Sequence, residues 1–312
     1  MKTIAIAIAA LATGCATAAY DPEATTHSDH FDLAGDGAEQ LREAEEAYAL
    51  FSELLQIDPG RAKLVIVADQ AAFDRVAGEA AGAQGVYQVR ARRIITFPQG
   101  DPRVVRHEVA HHFAVALVGE LSPALDEGIA EVLEGAIRVD GRAHLPVVSP
   151  EHFERFLAGG VSVPGAGVHR HAHVDYAGAW ALVAFALERE SGPLRERLLA
   201  LKKRAVAAPT PAELLAVAQK WKGELRRMVL SDAAAARVLG LLGDVDGLRD
   251  AWDRAHSGAP VVAIAGALAR NGERQPLRQI AERLRCPHLL REVSQAVGRE
   301  FRDAAELEAW LQ

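Results

Sequence analysis

The chain has 312 residues, half of them hydrophobic and a quarter charged, with a formal net charge of −7. That length exceeds one ordinary domain, and the acidic balance argues against nucleic acid as a partner. With only Cys15 and Cys286 present there is no disulfide framework and no cysteine metal site, and no apolar run beyond the amino terminus is long enough to span a bilayer.

The chain opens with Met1-Lys2-Thr3, continues through the apolar run Ile4–Leu11, and reaches Ala12-Thr13-Gly14-Cys15 with no acidic residue before Asp21. A short charged start, an apolar stretch too short to cross a membrane and small residues at a boundary predict a secretory signal segment over 1–19. The last four residues of that stretch resemble a bacterial lipobox with its leucine, Leu11, one place early. Cys15 is then the lipidation site and the only route to a membrane, which places the protein in the bacterial cell envelope, facing the periplasm or cell surface. Plain cleavage near Ala18-Ala19 and secretion is the alternative.

After this segment, His30–Leu33 alternates like a strand, and Leu41, Ala44, Tyr48, Phe51 and Leu55 recur at helical spacing over 38–57 before Pro59-Gly60. Lys63–Ala68 reads as a buried β-branched strand and Phe73–Ala81 as a helix. Gly85–Phe97 reads as a hairpin, Val86–Val89 returning through Arg90–Arg93 into Ile94–Phe97. The mixture predicts an α+β lobe over residues 20–230, with an all-α region of helical-repeat character over 231–312.

Residues 107–111 read His-Glu-Val-Ala-His, and 125–131 read Leu-Asp-Glu-Gly-Ile-Ala-Glu. On a helix, His107 and His111 project from one face, so two imidazoles can reach one ion. Val104, Val105, Val109, Phe113, Ala116 and Leu117 supply the apolar side of the same helix. A catalytic zinc takes three protein ligands and keeps one position open, and Glu127 on a following helix is the candidate third ligand. Glu108 is placed to take a proton from an attacking water, and Glu131, one turn past Glu127, to accept the free ring N–H of a ligand histidine.

These motifs resemble those of the gluzincin metallopeptidases, in particular the peptidase-MA-like families, over about residues 28–230. The resemblance implies a gluzincin-type lobe with a mixed sheet, His107, His111 and Glu127 as zinc ligands, and Glu108 as general base. It also implies Tyr176, at the start of a helix running to Glu190, as the hydroxyl that stabilises the tetrahedral intermediate. Ile94–Phe97 is the candidate edge strand for pairing with an extended substrate, with a plain internal strand as the alternative. The Gly-x-Met-x-Asn segment of gluzincin aminopeptidases is absent upstream, which leaves endo- against exopeptidase open.

Between the second motif and Tyr176, residues 139–174 read as an irregular, Gly-, Pro- and His-rich loop over the cleft, with His169, His171 and His173 alternating. Leu194–Ala205 and Pro211–Leu230 continue in helical pattern. Breaks at Gly243-Asp244, Ser257-Gly258, Asn271-Gly272 and Cys286-Pro287 then divide short helices without chemistry-bearing residues, which reads as a packing or partner-binding annex. The function expected is zinc-dependent hydrolysis of a peptide or protein substrate. The competing expectation is an inactive metallopeptidase-like lipoprotein acting as a scaffold, against which an intact Glu108 counts.

Overall fold

The computed structural model of the chain describes residues 20–99, 101–146, 149–157, 174–203, 209–255, 259–280 and 287–312. The expected signal segment with Cys15, the three histidines His169, His171 and His173, and Cys286 lie outside the described residues. The chain divides into two compact units, one running to Val147 and resuming over Val161–Pro209, the other formed by Val148–Gly160 and Thr210–Gln312.

The first unit is mixed α/β. Two short antiparallel strands, β1 (Thr26–His27) and β2 (Phe31–Ala34), lead into helix α1 (Ala38–Leu55), and β3 (Ala62–Ile66) returns parallel to β2. Gln56 ends α1 in the left-handed conformation, ahead of Pro59. Asp69 caps helix α2 (Gln70–Ala77) by accepting from the Ala72 N–H, which satisfies one of the free donors of its first turn. Strands β4 (Gly85–Gln88) and β5 (Arg93–Thr96) then form the expected hairpin.

The sheet order is β1-β2-β3-β5-β4, so β5 is paired on both sides, parallel to β3 and antiparallel to β4. Of the two readings of Ile94–Phe97, edge strand or internal strand, the structure shows the internal one, and β4 holds the edge. The reason is the connection through α2, which carries the chain far enough for β5 to insert beside β3 and displace its own hairpin partner outwards. Val86 and Ile95 join Val65, Phe73 and Phe97 in a core beneath α2. Tyr87, paired with Ile94, faces the other way, towards the helix that carries the His-Glu motif.

That helix is α3 (Pro102–Val118), followed by α4 (Pro123–Glu134), α6 (Tyr176–Arg189) and α7 (Leu194–Lys203). Helix α6 is buried along Ala177–Leu187, the pattern of a central helix enclosed by its neighbours. Where an irregular loop is expected after Val139, the chain forms a small hairpin, β6 (Ile137–Val139) with β7 (Arg142–His144), and a helix, α5 (Pro150–Leu157). Asp140-Gly141 makes that hairpin with positive φ at both residues, the geometry a two-residue turn requires.

The second unit is helical throughout its described residues. It contains α5, α8 (Pro211–Met228), α9 (Ala233–Leu241), α10 (Val245–Arg254), α11 (Ala259–Arg270), α12 (Gln275–Ile280), α13 (Pro287–Val297) and α14 (Ala304–Leu311). Thr210 and Glu213 form a reciprocal capping box at the start of α8. Helix α11 packs against both α9 and α13. Gly240 and Gly266 allow this closeness, since a β-carbon at either would collide with Ala267 or Ala296. Arg237 bridges Glu154 of α5 and Glu292 of α13 at 2.6 and 3.0 Å. Among the described residues no helix is long and apolar enough to cross a membrane.

Candidate metal centre

Helix α3 starts at an Asp101 cap with Pro102 in its first turn, where a missing N–H costs nothing. It is enclosed on most sides, with Val104, Val105, Val109, Ala110, Phe113, Ala114 and Val118 buried, whereas Ala116 faces solvent and Leu117 is half-buried. His107, Glu108, His111 and His112 are therefore all buried polar groups. Helix α4 lies across α3 and is held against α6 at Gly128. A β-carbon there would run into the Ala179 carbonyl and the Val183 side chain, so only glycine permits this approach. The glycine of the Glu-Gly pair thus fixes the helix that carries Glu127 inwards.

Three donor atoms converge. His107 Nε2 is 3.0 Å from His111 Nε2 and 3.2 Å from Glu127 Oε2, and His111 Nε2 is 3.6 Å from the same oxygen. Tetrahedral zinc with bonds of about 2.0–2.1 Å separates its ligand atoms by about 3.3 Å. The three observed separations bracket that value. Two imidazole nitrogens and a carboxylate oxygen, mutually within 4.8 Å and fully buried, fit one divalent ion.

The outward ring nitrogens have carboxylate neighbours. His107 Nδ1 is 3.2 Å from Glu134 Oε2, a hydrogen bond, and 3.5 Å from Glu131 Oε1. His111 Nδ1 is 3.3 Å from Asp126 Oδ1 but lacks hydrogen-bond angles there. Burial alone would lower both histidine pKa values, yet the carboxylates outweigh it. Glu127, Glu134 and Glu131 hold His107 well above its ordinary value, and Asp126 with Glu127 takes His111 to about 9. The carboxylates of Glu127, Glu131, Glu134 and Asp126 thus surround the two imidazoles with negative charge. This is an electrostatic demand for positive charge at the point where the three donors meet.

His112 belongs to a different network. Its Nε2 lies 2.9 Å from the Gly60 carbonyl and must donate to it, so Nδ1 is the acceptor for the Tyr87 hydroxyl, also at 2.9 Å. Burial lowers the His112 pKa, consistent with this neutral tautomer. His112 pins α3 to β4 and to the turn after α1.

Both carboxylate oxygens of Glu108 are buried with no hydrogen-bond partner of good geometry among the described residues, and the Tyr87 backbone exerts a minor influence that lowers its pKa. Burial is the main cause that raises its pKa to about 7, opposed by His111 and His107. A buried carboxylate without a partner is costly, and such groups mark sites of chemistry. Asp175 caps α6 and sets Tyr176 in its first turn, with the Tyr176 ring 6.2 Å from that of His107. Burial, then Glu127, Glu131 and Glu108, raise the Tyr176 pKa, so its hydroxyl keeps its proton.

The structure brings together His107, Glu108, His111, Glu127, Glu131 and Tyr176. Asp126 and Glu134 were missed from the sequence, although Glu134 follows Glu131 by three residues and Glu127 by seven, the spacing of one helix face. No family model, curated protein or solved structure matches this chain.

Proposed function

We propose that the protein is a zinc-dependent peptidase whose first unit is a gluzincin-like lobe. The observation that carries this reading is the convergence of His107 Nε2, His111 Nε2 and Glu127 Oε2 at 3.0, 3.2 and 3.6 Å beside the buried Glu108 carboxylate, which has no hydrogen-bond partner among the described residues. Zinc held by His107, His111 and Glu127 would supply Lewis acidity towards a water and a scissile carbonyl.

The chain's own residues do the rest. Glu108 takes the proton of the attacking water on its carboxylate and passes it to the departing amine, a role suited to a carboxyl raised towards neutrality. Tyr176, held protonated, donates a hydrogen bond to the developing oxyanion. Strand β4 offers the main-chain platform. Lys63 and Val67 donate to the Arg92 and Thr96 carbonyls, so Arg93 and Ile95 turn to β4 and bond Gln88 and Val86. The main-chain groups of Gly85 and Tyr87 alternate to the side that no strand pairs among the described residues, where an extended peptide can add as a strand. Lipid anchoring through Cys15 at the cell envelope belongs to the same reading.

Digestion of a peptide library by the wild type beside Glu108→Gln, with metal content measured on both, tests the proposal. Cleavage by the wild type and none by a zinc-loaded Glu108→Gln is the expected result. Zinc uptake without cleavage of any peptide favours the scaffold reading, and absence of zinc in the wild type removes the metal centre.

A further inference from the structure

Helix α4 presents three carboxylates on one face, at Glu127, Glu131 and Glu134, separated by four and three residues. Their relations to His107 differ. Glu127 meets the Nε2 side of the ring, whereas Glu131 and Glu134 both reach the Nδ1 side. Only Glu134 forms a hydrogen bond there, at 3.2 Å; Glu131 stands at 3.5 Å.

Resting on the reading that His107 is a zinc ligand, we infer that Glu134 is the positioning residue for that histidine, in preference to Glu131. A histidine that binds a metal through Nε2 needs its lone pair there, and therefore its proton on Nδ1. A carboxylate accepting that proton fixes the tautomer, holds the ring plane and raises the basicity of the ligating nitrogen.

Two observations separate Glu134 from an ordinary half-exposed glutamate. It is 20 % exposed and sits in the last turn of α4, where it could turn to water, yet its carboxylate is directed at a fully buried ring. The nearest cation in sequence to His107, Arg106, does not take it. Arg106 is bound to Glu43 at 2.7 Å and to the Ala136 carbonyl at 3.1 Å. Glu134 is left to the imidazole, and the chain crosses two turns of helix from Glu127 to place it there.

The same group, His107 Nδ1 with Glu131 and Glu134, has the composition of a second cation site. A proton on Nδ1 and a cation at Nδ1 exclude one another, so metal stoichiometry decides between the two.

The experiment compares Glu134→Leu, Glu134→Gln and Glu131→Leu with the wild type by three measurements: zinc affinity from chelator competition, zinc per chain, and the His107 Nδ1 proton by NMR of the metal-free protein. Glu134→Leu is expected to weaken zinc about 10- to 100-fold. Glu134→Gln, which keeps an acceptor, is expected to recover part of that loss, and Glu131→Leu to lose less than Glu134→Leu. The wild type is expected to show a slowly exchanging downfield Nδ1 proton that Glu134→Leu loses while the metal-free protein stays folded.

Equal zinc affinity in Glu134→Leu and wild type, or a larger loss in Glu131→Leu, overturns the inference. Two zinc ions per wild-type chain with one lost in Glu134→Leu makes Glu134 a ligand and overturns it as well. A wild type that takes up no zinc defeats the peptidase reading, and the Nδ1 proton then still decides whether Glu134 holds the ring.

Discussion

The α-carbon of Gly85 faces Glu108 so closely that a β-carbon there would stand 3.1 Å from the Glu108 Oε1 and 3.2 Å from its Cγ, while colliding with Val104 Cγ1. The edge strand therefore leaves a gap, and the carboxylate of α3 occupies it. Gly85→Ala is expected to destabilise the protein by about 1–3 kcal/mol through overpacking and to displace Glu108. In Gly85→Ala with Val104→Ala the worst collision is removed, so stability recovers while turnover stays low. Thermal melts beside peptide turnover on both variants make the check, and full turnover in the double variant removes Gly85 from the positioning of the base.

Gly128 sets a second close approach, α4 against the Ala179 carbonyl of α6. Because that obstacle is backbone, it cannot turn aside. Gly128→Ala is expected to cost about 1–3 kcal/mol or more and to push Glu127 away from the histidines. Zinc affinity should fall together with stability, measured by chelator competition and denaturant melts. Affinity equal to the wild type would show that α4 shifts without carrying Glu127 with it.

Zinc that binds the folded chain alone stabilises it by mass action, by about 2.7 kcal/mol when present at 100 times its dissociation constant. About one zinc per chain is expected by elemental analysis, with a fall in melting temperature on chelation. His111→Ala should lose most of the metal and show no such fall, because Glu127 and His107 alone leave an incomplete set.

His112 touches neither Glu127 nor the metal-facing nitrogens and holds Tyr87 and Gly60 instead. His112→Leu leaves a buried hydroxyl and a carbonyl short of partners and is expected to cost about 1–3 kcal/mol of stability. Zinc stoichiometry should stay at the wild-type value. Loss of zinc at unchanged stability would place His112 among the ligands.

Glu108 carries a pH signature in the metal-free protein. Burial raises its folded pKa from an ordinary 4.5 to about 7, so folding favours the protonated acid. The stability it contributes is complete below about 4.5 and is lost as pH rises through about 7. Glu108→Gln cannot ionise, so its melting temperature, relative to the wild type, should rise across that window. Parallel curves for the two proteins would mean that Glu108 does not ionise there.

The sequence by itself determined the local terms of this structure. The four-residue spacing of His107 and His111 places both rings on one helix face whatever surrounds them, and Asp175 ahead of Tyr176 announces the start of α6 because a carboxylate caps free N–H groups. Glu127 was legible as a candidate ligand because a two-histidine site lacks a third donor. The tertiary structure decided what local rules leave degenerate. Helical spacing puts Glu131 and Glu134 on the same face, and only the crossing of α3 by α4 makes one a hydrogen bond at 3.2 Å and leaves the other at 3.5 Å. A hairpin motif names two partners but not which of them stays open. The insertion of β5 beside β3 turned the free edge, and with it the face beside Glu108, over to β4. His112 directly follows His111 on the same helix. The backbone of Gly60, 52 residues away in the chain, made it a structural pin, a long-range contact that no pattern within one helix encodes.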